Sequence, residues 1–171
     1  GAYPFSNEPL SDLLNANLNL DGRVLVISSS GDIQILLGGM GAKNIDSIDI
    51  SKKSNAWAEY KWNLFRSSTQ EDYLARLIEN PIWDNISLNL ELSVETREIL
   101  NSYNGEVEEF IYDSDLFKPV KFPFLRIKSL GYLGKNYDSF RNSSLLTSLE
   151  FSLGNIVNLS EDLRRKKFSL V

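Results

Sequence analysis

The spacing of apolar residues changes several times along this chain, and each change marks an element. Val24 to Ile27 is an unbroken apolar run between the Asp21-Gly22 turn and a Ser/Gly loop. That is the pattern of a strand buried on both faces in a parallel sheet. About Asp32 to Leu37 reads as a helix ending in Gly38-Gly39, with Gly41 beyond as part of a C-cap cluster. A second short strand is expected over about Asp46 to Ile50. Ser51 is placed to cap a long helix, about Lys52 to Arg66, with Ala56, Trp57, Tyr60 and Leu64 apolar and charges opposite. Ser68 or Thr69 starts a further helix with Tyr73, Leu74, Leu77 and Ile78 on its apolar face. Ahead of the first strand, Leu10, Leu13, Leu14 and Leu18 predict a short helix with Ser11 as its cap. It would cover either a cofactor edge or simply the sheet.

Beyond Pro81 the α/β alternation stops, and it returns only after about Leu146. Val94 to Tyr103 reads as helix, Glu109 to Tyr112 as a short strand, and Pro119 and Pro123 as loop. A connection this long is usually a functional insertion. Its aromatics, among them Trp83, Tyr112, Tyr137 and Phe140, fit either an apolar cap over an acceptor or a small core of their own. Ser148 to Ser152 then alternates as a strand, followed by Gly154-Asn155. Leu159 to Arg165 reads as a helix with an acidic start and a basic end, as the helix dipole favours. Arg164 to Lys167 is accordingly read as a solvated helix end rather than a nucleic-acid patch. Phe168 to Val171 begins a fourth apolar strand.

Together these elements predict an α/β domain with a Rossmann-like parallel sheet and a mainly helical insertion at about 81–146. A single domain over 1–171 is expected, its sheet truncated after the fourth core strand. The Gly-Ala start is expected to be a processed terminus or a cloning remnant.

Composition narrows the chemistry more than the fold. The 171 residues carry a net charge of −5, so no general attraction to nucleic acid or anionic membrane is expected. The longest nearly apolar run, Ile33 to Met40, is far too short to span a bilayer. With no secretory-signal pattern at the start, a cytoplasmic protein is expected, and the Asn-x-Ser triplets at Asn85, Asn142 and Asn158 are read as chance. The chain has no Cys and no His. Thiolate or imidazole zinc sites, Ser-His-Asp triads and Cys nucleophiles cannot be built from it. Its chemistry must use carboxylates, hydroxyls, Lys, Arg and backbone groups.

Strand, small-residue loop, helix, strand and acid, in that order, describe a nucleotide-binding βαβ unit. Ser28, Ser29, Ser30 and Gly31 would let backbone approach a ligand, with a helix N-terminus behind them. Asp49 stands eighteen residues after Gly31, at the expected tip of the second strand, with Ile50 beside it. There a carboxylate can accept both hydroxyls of an adenosine ribose; the alternative is that Asp49 only caps the next helix. Asp32 would repel a phosphate but suits an ammonium. With no Gly-x-Gly-x-x-Gly fingerprint, this favours S-adenosylmethionine over NAD or FAD. Asn155, followed by Ile156, is placed to meet an adenine edge, or is an ordinary turn residue after Gly154.

Val24 to Asp32 (Val-Leu-Val-Ile-Ser-Ser-Ser-Gly-Asp), Ile48 to Ser51 and Glu59 to Arg66 together resemble the class I S-adenosylmethionine-dependent transferases. More narrowly, they are similar to the group containing the S-adenosylmethionine:diacylglycerol 3-amino-3-carboxypropyl transferases of betaine-lipid synthesis. That group has a Ser-Gly-Gly-type loop after strand one, an Asp ending strand two, and a Leu-Lys…Arg helix. Glu71 to Leu74 matches its next helix, and Leu92 to Arg97 and Ile111 to Phe117 resemble its inserted region. Three positions depart from the patterns: Ser30-Gly31 replaces a paired Gly, Asp115 replaces a Gly, and Asn155 replaces a common Asp. The resemblance covers roughly Phe5 to Phe117 and Leu149 to Asn155.

The resemblance implies transfer of a 3-amino-3-carboxypropyl or methyl group to a small or lipid-like acceptor, without a metal. Tyr112 is the candidate catalytic hydroxyl. Two other readings remain open: a degenerate, non-catalytic module that binds a ligand or partner, and an NAD-dependent oxidoreductase.

Overall fold

A computed structural model describes residues 10–78, 90–102, 131, 133–155 and 168–169. Three parallel strands carry the fold: β1 (Arg23–Ile27), β2 (Asn44–Asp49) and β3 (Ser148–Leu153). A two-residue strand, β4 (Phe168–Ser169), pairs with the start of β1, so the order is β3-β2-β1-β4. The helices are α1 (Leu10–Asn15), α2 (Asp32–Gly39), α3 (Lys52–Ser67), α4 (Gln70–Ile78), α5 (Val94–Asn101) and α6 (Tyr137–Ser144). A 3-10 turn over Gly134–Asn136 leads into α6. The α/β class and the parallel sheet are those expected from the sequence.

Register explains which strand residues are buried. Val24, Ile45 and Leu149 stand in one row, and Val26, Ser47 and Phe151 in the next. These rows face the helices: Val24, Val26 and Ile45 pack with Leu37 of α2 and with Ala42. The opposite face carries a charged row. Arg23 donates to both Asp46 oxygens, at 2.8 and 2.9 Å, and to Glu150 at 3.3 Å, tying three strands in one register. A planar guanidinium gripping a carboxylate with two bonds fixes orientation as well as distance.

The long helix α3 is the hub of the core. Ser51 caps it, its side chain accepting from the Ser54 amide at 3.2 Å, and neither Gly nor Pro interrupts it. Trp57, Tyr60, Leu64 and Phe65 are all buried. Each such side chain contributes roughly 1.5–3 kcal/mol of burial. The charges do not all lie on the far side as the sequence pattern suggests, because Lys61 is buried too.

One helix boundary is as expected and one is not. Gly38 and Gly39 are the last two residues of α2, as expected, and Gly41, with φ +98°, makes the left-handed exit. A Cβ on Gly38 would come within 2.6 Å of the Trp62 ring, and one on Gly39 would strike the Phe140 ring. These two glycines let α3 and α6 approach α2. At the other end of the chain, α1 begins at Leu10, so Ser11 sits inside the helix.

The described part of the expected insertion belongs to the main core. Leu92 and Leu100 of the α5 region, and Leu133, Tyr137 and Phe140, pack in one cluster with α2, α3 and α4. Tyr137 donates to the Phe65 and Ser68 carbonyls, at 3.2 and 3.3 Å. These two aromatics thus belong to the main core and not to a small core of their own. Trp83, Tyr103, Phe110 and the strand expected at Glu109 to Tyr112 lie outside the described residues. So does the helix expected over Leu159 to Arg165. No helix among the described residues is long and apolar enough to cross a membrane.

Candidate functional site

The carboxyl ends of β1, β2 and β3 meet at one edge of the sheet, where ligands bind in open parallel α/β sheets. The turn from β1 into α2 is tight. Ser29 has φ +43° and Gly31 has φ +81°, both left-handed. At Gly31 a side chain is doubly excluded, since a Cβ would come within 2.9 Å of the Ala58 Cα. Glycine here serves the turn and the close approach of α3 to the loop.

Asp49 lies at the tip of β2, as the sequence predicts. Its Oδ2 accepts from the Ser29 amide at 3.1 Å and its Oδ1 from the Ser51 amide at 2.9 Å. The carboxylate therefore links the β1 loop to the start of α3, while Ser51 itself is the helix cap. Each oxygen retains a second lone pair. Ile50 beside it is 73% exposed, and Ile27 and Leu153 at the neighbouring tips are 49% and 57% exposed. The edge thus combines one carboxylate with three accessible apolar side chains. Asn155 follows Gly154 and is exposed. The Gly154 amide donates to the Asp49 carbonyl at 2.8 Å, which keeps the β3 exit beside Asp49.

Ser28 and Ser30 turn inward. A single directed chain of hydrogen bonds runs beneath the edge. Gln34 donates to Ser47 Oγ at 2.6 Å, Ser47 to Ser28 Oγ at 2.8 Å, and Ser28 to Asn55 Oδ1. Asn55 Nδ2 then donates to the Ser152 carbonyl at 3.0 Å. Because Ser28 gives its only proton to Asn55, the Ser47 hydroxyl must be the donor between the two serines. This chain joins α2, β2, the loop after β1, α3 and β3 just below the candidate site.

Asp32 also points inward. Its side chain and that of Lys61 are both 0% exposed, with Lys61 Nζ 2.7 Å from Asp32 Oδ1. Ser30 Oγ donates to Asp32 Oδ2 at 2.9 Å. The ammonium expected opposite Asp32 is supplied by the chain's own Lys61. Burial pushes the Lys61 ammonium below its ordinary value, with Asp32 pulling the other way. Desolvation is the stronger influence here because both side chains are fully enclosed.

The structure therefore gathers Ser29, Gly31, Asp49, Ile50 and Asn155 at the edge and places Ser28, Ser30 and Asp32 beneath it. Tyr112 and Ile156 lie outside the described residues. Lys61 and Asn55 are the contributors that sequence reasoning missed. Lys61 did leave a signal, standing four residues after Trp57 and three before Leu64 in the apolar stripe of α3. Among the described residues, no group of three or more acidic side chains could hold a metal ion. No family model, no curated protein and no solved structure matches the chain.

Proposed function

We propose that this chain is the S-adenosylmethionine-binding α/β domain of a group-transfer enzyme of class I methyltransferase type. The observation that carries the reading is Asp49. A carboxylate with spare lone pairs stands at the tip of the central β2, beside the exposed Ile50 and opposite a left-handed small-residue loop. The two ribose hydroxyls would take the free lone pairs of Asp49, and the adenine would lie on Ile50 towards Asn155. Further support comes from the resemblance at Val24 to Asp32 and Ile48 to Ser51, and from the missing dinucleotide fingerprint.

The buried Asp32 no longer argues for the cofactor's ammonium, so that group would be held by backbone around Ser29. The sulfonium is already activated, so the protein's task is to align an acceptor with the transferred carbon and exclude water. Neither imidazole nor thiolate is needed, in keeping with a chain that has neither. The product, 3-amino-3-carboxypropyl or methyl transfer to a small or lipid-like acceptor, follows from the resemblance alone.

Titration calorimetry of the chain with S-adenosylmethionine, S-adenosylhomocysteine and NAD tests the proposal. Saturable binding of the first two, but not of NAD, is expected. Binding of NAD alone would assign the oxidoreductase reading, and binding of none would remove the cofactor reading.

A further inference from the structure

A second concavity lies on the helical side of β3, between that strand, α3 and α5, and its volume is about 330 Å³. That is the lower end of the range for small-molecule sites. Its floor is apolar: Leu149, Phe151 and Leu153 from alternate positions of β3, faced by Ala56 of α3 and Ile99 of α5. Its rim is charged, and the charges do not cancel. Glu59 and Glu95 contribute two carboxylates and Lys52 one ammonium.

The two carboxylates are held differently. Glu95 pairs with Lys52 at 2.7 Å on the open surface. Glu59 is braced from one side by α5: its Oε1 accepts from the Ser93 amide at 2.5 Å, and its Oε2 from Ser93 Oγ at 2.8 Å and Thr96 Oγ1 at 2.6 Å. A carboxylate has about four lone-pair sites. Three bonds from one helix terminus leave about one site, on Oε1, for a further donor. The same Ser93 caps α5 through the Thr96 amide at 3.2 Å, so the carboxylate and the helix that brackets the groove are fixed together.

We infer that this groove is a binding site for a small amine that carries an apolar body. The body lies on Phe151, Leu153 and Ile99, and the ammonium donates to Glu59 and offsets the surplus carboxylate. An anion would meet two carboxylates and a Lys52 already paired. A neutral apolar molecule would displace water from Glu59 without supplying a donor in its place. The inference does not depend on cofactor binding at Asp49, although Asn55 and Leu153 belong both to this groove and to the sheet edge.

Three probes of one shape read the site: phenethylamine, 2-phenylethanol and 3-phenylpropionate, titrated into nitrogen-15-labelled protein. Phenethylamine should give saturable shifts at the amides of Ser93, Thr96 and Phe151, at least tenfold tighter than either other probe. Glu95→Lys, a change at an exposed position, should reverse the preference, weakening the amine at least tenfold and admitting the carboxylate. Ile99→Trp, which fills the groove, should abolish all three sets of shifts while the other amide resonances keep their positions. Equal affinity for the three probes, shifts located elsewhere, or a Glu95→Lys variant with unchanged preference would each overturn the inference. S-Adenosylmethionine titrated separately reports on Asp49, so failure at one site is distinguishable from failure at the other.

Discussion

At the scale of single residues, Asp49 and Asp32 make an instructive contrast. Both are acids placed by sequence at a strand-to-helix junction, and both look available for a ligand. The structure keeps Asp49 at the edge and sends Asp32 into the core. Position along a parallel strand is strongly determined, because alternation and the last apolar residue locate its tip. That made Asp49 legible. The direction of a side chain in the first turn of a helix depends on what packs against that turn. Asp32's partner, Lys61, lies 29 residues further along the chain on another helix. A pairing across that distance leaves only an indirect mark, a lysine where an apolar residue is due. Substitution separates the two roles of Asp49. Asp49→Asn keeps an acceptor oxygen for one of the two amides, whereas Asp49→Ala leaves both the Ser29 and Ser51 amides without their carboxylate. Calorimetry should show S-adenosylmethionine binding weakened at least tenfold in both variants. Chemical denaturation should show Asp49→Ala less stable by about 1–2 kcal/mol and Asp49→Asn by less. Unchanged affinity in Asp49→Asn would reduce Asp49 to a brace between loop and helix.

At the scale of elements, the buried Asp32–Lys61 pair joins the start of α2 to the middle of α3. Taking two charges out of water costs several kcal/mol each, and their attraction offsets this only while both are present. The pair is therefore weak evidence for added stability; what it does is tie one position of α2 to one position of α3. Two substitutions distinguish these effects. Lys61→Met leaves a buried carboxylate with its cation removed, and urea denaturation should show a loss of about 3–5 kcal/mol. Adding Asp32→Asn to Lys61→Met removes the charge and should recover at least half of that loss. If Lys61→Met costs less than about 1 kcal/mol, water reaches the pair and it does not hold the helices together. The boundaries of α2 carry the matching lesson for sequence reading. Gly38 and Gly39 end the helix as their local propensity suggests, and they also give Trp62 and Phe140 the space those rings need. The second role left no local mark, because the packing partners stand 24 and 101 positions away.

At the scale of the whole molecule, sequence reading recovered the alternation of strands and helices, the parallel sheet and the order in which β1 and β2 pair. It could not foresee how the residues before β3 return to the core, since aromatic density alone does not say which surface the rings will cover. Phe65, Tyr73 and Tyr137 show the answer. Their ring centroids lie 4.9 to 5.8 Å apart, so α3, α4 and α6 meet around one aromatic cluster. With Tyr60 of α3, that cluster is expected to set an alkaline limit to the fold. Burial raises the hydroxyls of Tyr60, Tyr73 and Tyr137 above the ordinary tyrosine value of about 10. For a group whose folded value is raised, the unfolded chain releases its proton first. The stability it contributes is complete below about pH 10 and is lost as pH rises beyond it, by up to about 1.4 kcal/mol per pH unit for each tyrosine. Lys61, whose value is lowered, acts in the opposite sense: its penalty is present at lower pH and is gone above about pH 10.5, so it does not oppose the tyrosines there. Urea midpoints should therefore fall steeply above about pH 10.5, and absorbance near 295 nm should show a tyrosinate step that coincides with unfolding. Tyr73→Phe isolates one member of the cluster, because the Tyr73 hydroxyl is fully buried and has no hydrogen-bond partner among the described residues. At neutral pH that substitution should be neutral or stabilise by about 1 kcal/mol. Above about pH 10.5 it should flatten the decline, and an unaltered slope would mean that Tyr73 ionises within the folded protein.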